Sequence, residues 1–133
     1  MAKITILKYL DYVTSITHPE LFNPYFCSYY IKSKSKMTYT EIINSETPTL
    51  VDFTATWCGP CKAMAPVLEQ LASRIGEKGK IIKIDVDKNP GIAEKMKIQG
   101  VPTFVLYKKG EILWRQSGMQ SLTQLEKLIE GAQ

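Results

Sequence analysis

Apolar positions along this chain fall into two regimes. Over residues 1–36, aliphatic and aromatic side chains are broken up by Pro19, Pro24 and the polar string Lys32-Ser33-Lys34-Ser35-Lys36, with no sustained helical or strand period. From Met37 onward the pattern is regular. Thr38-x-x-Glu41 has the spacing of a capping box ahead of the apolar pair Ile42 and Ile43, which predicts a brief first helix. Leu50 to Ala55 reads as a strand buried on both faces, between Pro48 and Gly59-Pro60. A helical stripe of Met64, Val67, Leu68, Leu71 and Ile75 runs from about Pro60 to the stop at Gly76, with Pro66 expected to kink it.

Ile81 to Val86 reads as the next strand, and Asn89-Pro90 as the cap and first position of a helix carrying Ile92, Ala93 and Met96. Thr103 to Tyr107 and Glu111 to Arg115 are strands joined by a turn at Lys108-Lys109-Gly110. Ser121-x-x-Gln124 opens a last helix on Leu122, Leu125, Leu128 and Ile129. The order α-β-α-β-α-β-β-α contains one strand-helix-strand unit, which makes a right-handed crossover and a parallel pair, followed by an antiparallel hairpin. An α/β fold with a mixed central sheet and helices on both faces follows.

The 133 residues suffice for one domain and a tail, so the expected division is an N-terminal extension over 1–36, poorly ordered, and a domain over 37–133. Met37 stands where a compact domain would begin, which makes the extension a candidate mis-assigned start. The formal charge of +4 sits mostly in that extension, whose five lysines face only Asp11 and Glu20. The balanced remainder offers no footprint for nucleic acid. No stretch reaches the ~18 apolar residues of a membrane span. Lys8 and Asp11 interrupt the N-terminal apolar residues before a secretory signal can form, and the extension lacks the arginines of a mitochondrial transit sequence. The expected compartment is the cytoplasm, and the expected state a monomer.

Three cysteines are too few and too odd in number for a disulfide scaffold, and two of them form Cys58-Gly59-Pro60-Cys61. Cys58 falls where a buried strand gives way to a helix, so its sulfur meets unpaired N–H groups and the positive helix end. A thiol there titrates below the free value of ~8.5. Cys58, an exposed thiol, is the expected nucleophile, and Cys61, nearly one turn further in, the resolving thiol, shielded from a large substrate. Gly59 admits a partner's backbone, and Pro60 starts the helix without wasting a donor. The alternative is half of a zinc site, for which only His18 and Cys27 remain as ligands, both in the extension. Cys27 is otherwise an incidental thiol. Asp52 interrupts an apolar strand, where desolvation raises a carboxyl's pKa, and Lys83 interrupts the next, on the face of Ile81 and Asp85.

Val51-Asp52-Phe53 followed by Trp57-Cys58-Gly59-Pro60-Cys61-Lys62 resembles the active-site signature of the thioredoxin family, and Val101-Pro102-Thr103 resembles its cis-proline loop. Asp85-Val86-Asp87-x-Asn89-Pro90, the Lys109-Gly110-Glu111 turn and Gly118 extend the match to about residues 38–131. The resemblance implies a protein-disulfide reductase that binds no cofactor and draws electrons from NADPH through a thioredoxin reductase. It implies disulfide-containing clients such as ribonucleotide reductase, peroxiredoxins and methionine sulfoxide reductases. It also implies that Asp52 is the general base for Cys61, that Lys83 pairs with Asp52, and that Pro102 is cis. Val101 then offers backbone groups to an extended client segment. Trp57, Gly59, Pro60 and Gly118 complete an apolar rim on which Trp57 is partly exposed.

The chain departs from the family at Thr54, where an aromatic residue is usual, and in the short run from Met37 to Asp52, which leaves no room for the usual first edge strand unless the extension supplies it. Two other readings stay open. A disulfide oxidase or isomerase would use the same fold but usually carries His between the cysteines; a non-catalytic binding module would leave Cys58, Cys61, Asp52 and Pro102 without a joint purpose.

Overall fold

The computed structural model describes residues 5–6 and 38–133. The expectations for the rest of the extension, including order, His18 and Cys27, lie outside the described residues. The elements are β1 (Thr5–Ile6), α1 (Tyr39–Ile43), β2 (Thr49–Thr54), α2 (Gly59–Ile75), a single 3-10 turn (Gly76–Lys78), β3 (Lys80–Asp85), α3 (Pro90–Lys95), β4 (Thr103–Lys108), β5 (Glu111–Ser117) and α4 (Leu122–Gly131). From Met37 onward the element order is that read from the sequence, with boundaries shifted by one or two residues.

Local chemistry sets most of the ends. Thr38 and Glu41 close a full capping box on α1, and Ser121 accepts from the Gln124 amide at the start of α4. Asn89 does not cap α3 with its side chain, contrary to expectation; its Nδ2 donates 2.9 Å to the Asp85 carbonyl, closing the turn that leaves β3. Lys109 and Gly110 both have positive φ, as a two-residue hairpin turn of type I′ requires.

The sheet runs β1-β3-β2-β4-β5, with β2 and β3 parallel and the remaining pairs antiparallel. The extension does supply an edge strand: Thr5 pairs with Lys83 and Ile6 with Ile82, antiparallel. β2 lies at the centre, and its residues 49–53 are buried on both faces. Alternation then sorts the core into two layers. Leu50, Ile81, Phe104 and Leu106 meet α2 and α4 through Met64, Leu68, Leu71, Leu125 and Ile129. Val51, Phe53, Ile82, Ile84, Val105 and Tyr107 meet α1 and the α3 region through Ile42, Tyr39, Ile92, Met96 and Ile98. Each fully buried large side chain contributes about 1.5–3 kcal/mol. Together the layers make the end of β2 a rigid platform for the turn that follows it.

Candidate active site

β2 ends at Thr54, and the chain reaches Cys58 four residues later as the N-cap of α2. The Cys58 backbone is extended, at φ −82° and ψ 112°, and its sulfur accepts from the Cys61 amide at 3.2 Å. Pro60 occupies the first turn, where a missing N–H costs nothing. Cys58 and Cys61 are joined as a disulfide with Cα atoms 5.3 Å apart.

The two cysteines are buried almost equally, Cys58 at 4% and Cys61 at 5% exposure, so Cys61 is shielded as expected while the expectation of an exposed Cys58 is corrected. The reason is local. Both pack with Ala55 and against Val86 and Val101, which lie across the opening of the helix. What separates the two sulfurs is direction. Cys58 Sγ lies 3.6 Å from the Val101 carbonyl oxygen, whereas Cys61 sits on the buried stripe of α2 with Met64 and Leu68.

The Val101–Pro102 peptide is cis. Two bonds anchor this loop from below: Thr103 Oγ1 donates 2.7 Å to the Gly100 carbonyl, and the Gly118 amide donates 2.8 Å to the Pro102 carbonyl. Gly118 has φ +91°, a conformation other residues adopt rarely. Cys58, Val101, Pro102 and Gly118, read separately from the sequence, are therefore brought into one row. Gly59 and Pro60 lie exposed at the helix start, and among the described residues nothing beyond Gly59's chain neighbours and its own helix backbone stands within 4 Å of where a Gly59 Cβ would be. Trp57 is 69% exposed, and its Nε1 donates 2.9 Å to Asp87 Oδ2. Sequence reading missed that partner, although Asp87 stood within a quoted motif.

Asp52 is 1% exposed, on the β2 face shared with Leu50 and covered by α2. Its Oδ1 has no hydrogen-bond partner, and burial pushes the carboxyl up to about 7, against the opposing pull of Lys83. Asp52 and Lys83 are register partners on adjacent strands, yet among the described residues they form no ion pair within 4.0 Å. The lysine acts on the carboxylate through space. A carboxyl that titrates near neutrality beneath the first turns of α2 has the properties of a proton acceptor.

Comparison with known proteins agrees with this geometry. The thioredoxin family model matches residues 30–131. A thioredoxin-like protein of Synechocystis sp. is 49% identical over 67% of this chain and 85% of its own length. Thioredoxin Y1, chloroplastic, of Arabidopsis thaliana is 45% identical over 67% of this chain, a match that spans 52% of that relative. Among solved structures, the oxidized form of mitochondrial thioredoxin 3 from Saccharomyces cerevisiae superposes with a TM-score of 0.63 at 38% identity, covering 70% of this chain and 86% of that one. Among the described residues no helix is long and apolar enough to cross a membrane. With the family model spanning most of the chain and a disulfide across Cys58 and Cys61 at the head of α2, this protein belongs to the thioredoxin family and is a thiol-disulfide oxidoreductase.

Proposed function

We propose that the chain is a protein-disulfide reductase in which Cys58 attacks and Cys61 resolves. The observation that carries this order is the Cys58 sulfur itself, which accepts the Cys61 amide at the end of a 17-residue helix while lying beside the cis-proline loop. In the reduced protein the same amide and the helix end favour the thiolate. That thiolate attacks one sulfur of a client disulfide, forming a mixed disulfide, and the client's other sulfur leaves as a thiolate. Cys61, its proton passed to Asp52, then attacks Cys58 Sγ. The second client sulfur departs, the Cys58–Cys61 disulfide forms, and two electrons have moved to the client.

Lys83 tempers the basicity of Asp52 from the neighbouring strand. Val101 offers its backbone to an extended client segment beside Pro102, and Trp57, Gly59, Pro60 and Gly118 border it. Electrons come from NADPH through a thioredoxin reductase, so this chain needs no bound cofactor. The clients are disulfide-forming enzymes of the ribonucleotide reductase, peroxiredoxin and methionine sulfoxide reductase kinds. The working unit is residues 37–133, to whose sheet Thr5–Ile6 adds an edge strand, and the place of action a reducing compartment, the cytoplasm.

An equilibrium redox titration of the Cys58–Cys61 pair, followed by tryptophan fluorescence and thiol alkylation, tests the direction of electron flow. A potential near −270 mV, roughly that of a reductant of this type, is the expected result. A value above about −200 mV would identify an oxidase or isomerase instead.

A further inference from the structure

The loop that faces Cys58 is tied to the body of the protein at a point far from the cysteines. Helix α3 ends at Met96, and the chain turns back through Lys97 and Ile98 toward Gly100 and Val101. The Lys97 amide bonds to the Glu94 carbonyl and the Ile98 amide to the Ala93 carbonyl, both at 2.9 Å, the pattern of a Schellman motif. The residue at the turning point of that motif is usually glycine, because it must adopt positive φ. Here it is Lys97, at φ +50°. The helix end also leaves carbonyl oxygens without helical donors.

Arg115 supplies the donors. From β5 its Nη1 donates 2.9 Å to the Met96 carbonyl and its Nη2 donates 3.1 Å to the Lys97 carbonyl. A planar guanidinium suits two adjacent acceptors in a way that a single ammonium cannot, and a cation is favoured at a helix C-terminus. The bond from Gly118, one residue beyond β5, to Pro102 fixes the other end of the same segment. Residues 96–102 are thus pinned at both ends by one strand and its exit, and between those pins lies Val101, whose carbonyl stands 3.6 Å from Cys58 Sγ.

We propose that Arg115 is a positioning residue for client recognition: its clamp on Met96 and Lys97 sets where Val101 and Pro102 stand relative to Cys58. The inference rests on the disulfide-reductase reading and specifies which distant side chain shapes the client-facing loop. Its effect falls on clients that use the loop backbone, and leaves the sulfur chemistry of the dithiol alone. Arg115 is exposed, so replacing it removes the clamp without opening the core.

The test compares Arg115→Ala and Arg115→Lys with the wild type in reducing insulin, a protein disulfide, and dithiobis(2-nitrobenzoate), a small aromatic disulfide that needs no extended-segment contact. Arg115→Ala should raise KM for insulin about tenfold, the scale of losing charge-assisted hydrogen bonds, with kcat, the dithiol potential and reduction of the small disulfide unchanged. Arg115→Lys should fall between. Adding Lys97→Gly to Arg115→Ala should recover much of the lost KM, because glycine holds the turn without the clamp. The proposal is overturned by an unchanged insulin KM, by equal losses on both substrates, or by a shifted potential. A wild-type protein unable to reduce insulin would instead sink the reductase reading.

Discussion

The Tyr39–Tyr107 pair on one face of the central sheet and Asp52 on the other handle the burial of a polar group in opposite ways. On the α1 and α3 face, Tyr39 and Tyr107 meet edge to face with ring centroids 6.2 Å apart, and their hydroxyls bond at 2.8 Å. Tyr107 also reaches Met96 Sδ at 3.4 Å. Burial pushes both phenols upward, so they stay neutral, and each hydroxyl has a partner. On the α2 and α4 face, Asp52 is almost completely buried with one oxygen unpartnered, and it titrates near neutrality. The difference separates architecture from chemistry. A satisfied pair locks α1 to β4, whereas an unsatisfied carboxyl in the central strand is a cost that the proposed mechanism accounts for as the acceptor of the Cys61 proton.

The sharpest break in that comparison removes the resolving sulfur. Cys61→Ser should lower turnover of protein disulfides by about 10³-fold or more and leave clients covalently held on Cys58, visible as mixed disulfides on non-reducing gels. Recovery of free clients only would reverse the assigned order of attack.

Asp52→Asn should come next, and it separates rate from stability. Turnover at pH 7 should fall on the order of a hundredfold through loss of the general base. Stability should move the other way. Between an ordinary value of 3.8 and about 7 the folded protein holds a proton that the unfolded chain has released, so wild-type stability declines as pH rises through that window. The decline amounts to at most about 4 kcal/mol. Denaturant unfolding from pH 4 to 8 should show this slope in the wild type and a flatter profile in Asp52→Asn, with the variant the more stable at pH 8. Equal slopes in both would remove Asp52 as the source.

The smallest effect belongs to the other face. Tyr39→Phe should cost about 1 kcal/mol on unfolding and leave turnover unchanged, because Tyr107 keeps its contact to Met96. A clear loss of turnover would mean that the architectural face also reaches the dithiol.

Much of the fold was legible because its signals are local. The Thr38 and Ser121 caps, the two-residue turn at Lys109-Gly110 and the stripe from Met64 to Ile75 each depend on neighbours within a few residues. Asn89 misled for the same reason in reverse: its type suits a cap, but the turn out of β3 engages its amide first. The pairing of Thr5–Ile6 with β3 could be read only as a vacancy at the sheet edge, since two residues carry no strand signal. At the site, Cys58, Cys61 and Asp52 declared themselves by type and spacing. Asp87 and Arg115 did not, because an exposed charge acquires its meaning only from what it bonds.

The sequence by itself determined the order of elements, the placing of a dithiol at a strand-to-helix junction and the burial of a carboxyl in the central strand, because periodicity, caps and the Cys-Gly-Pro-Cys spacing are local. Only the tertiary structure decided that the two cysteines are equally buried, that Lys83 acts on Asp52 without touching it, and that Arg115 holds the loop facing Cys58. Those facts depend on distances between residues far apart in the chain, which are set by how the strands register and how the helices pack against them.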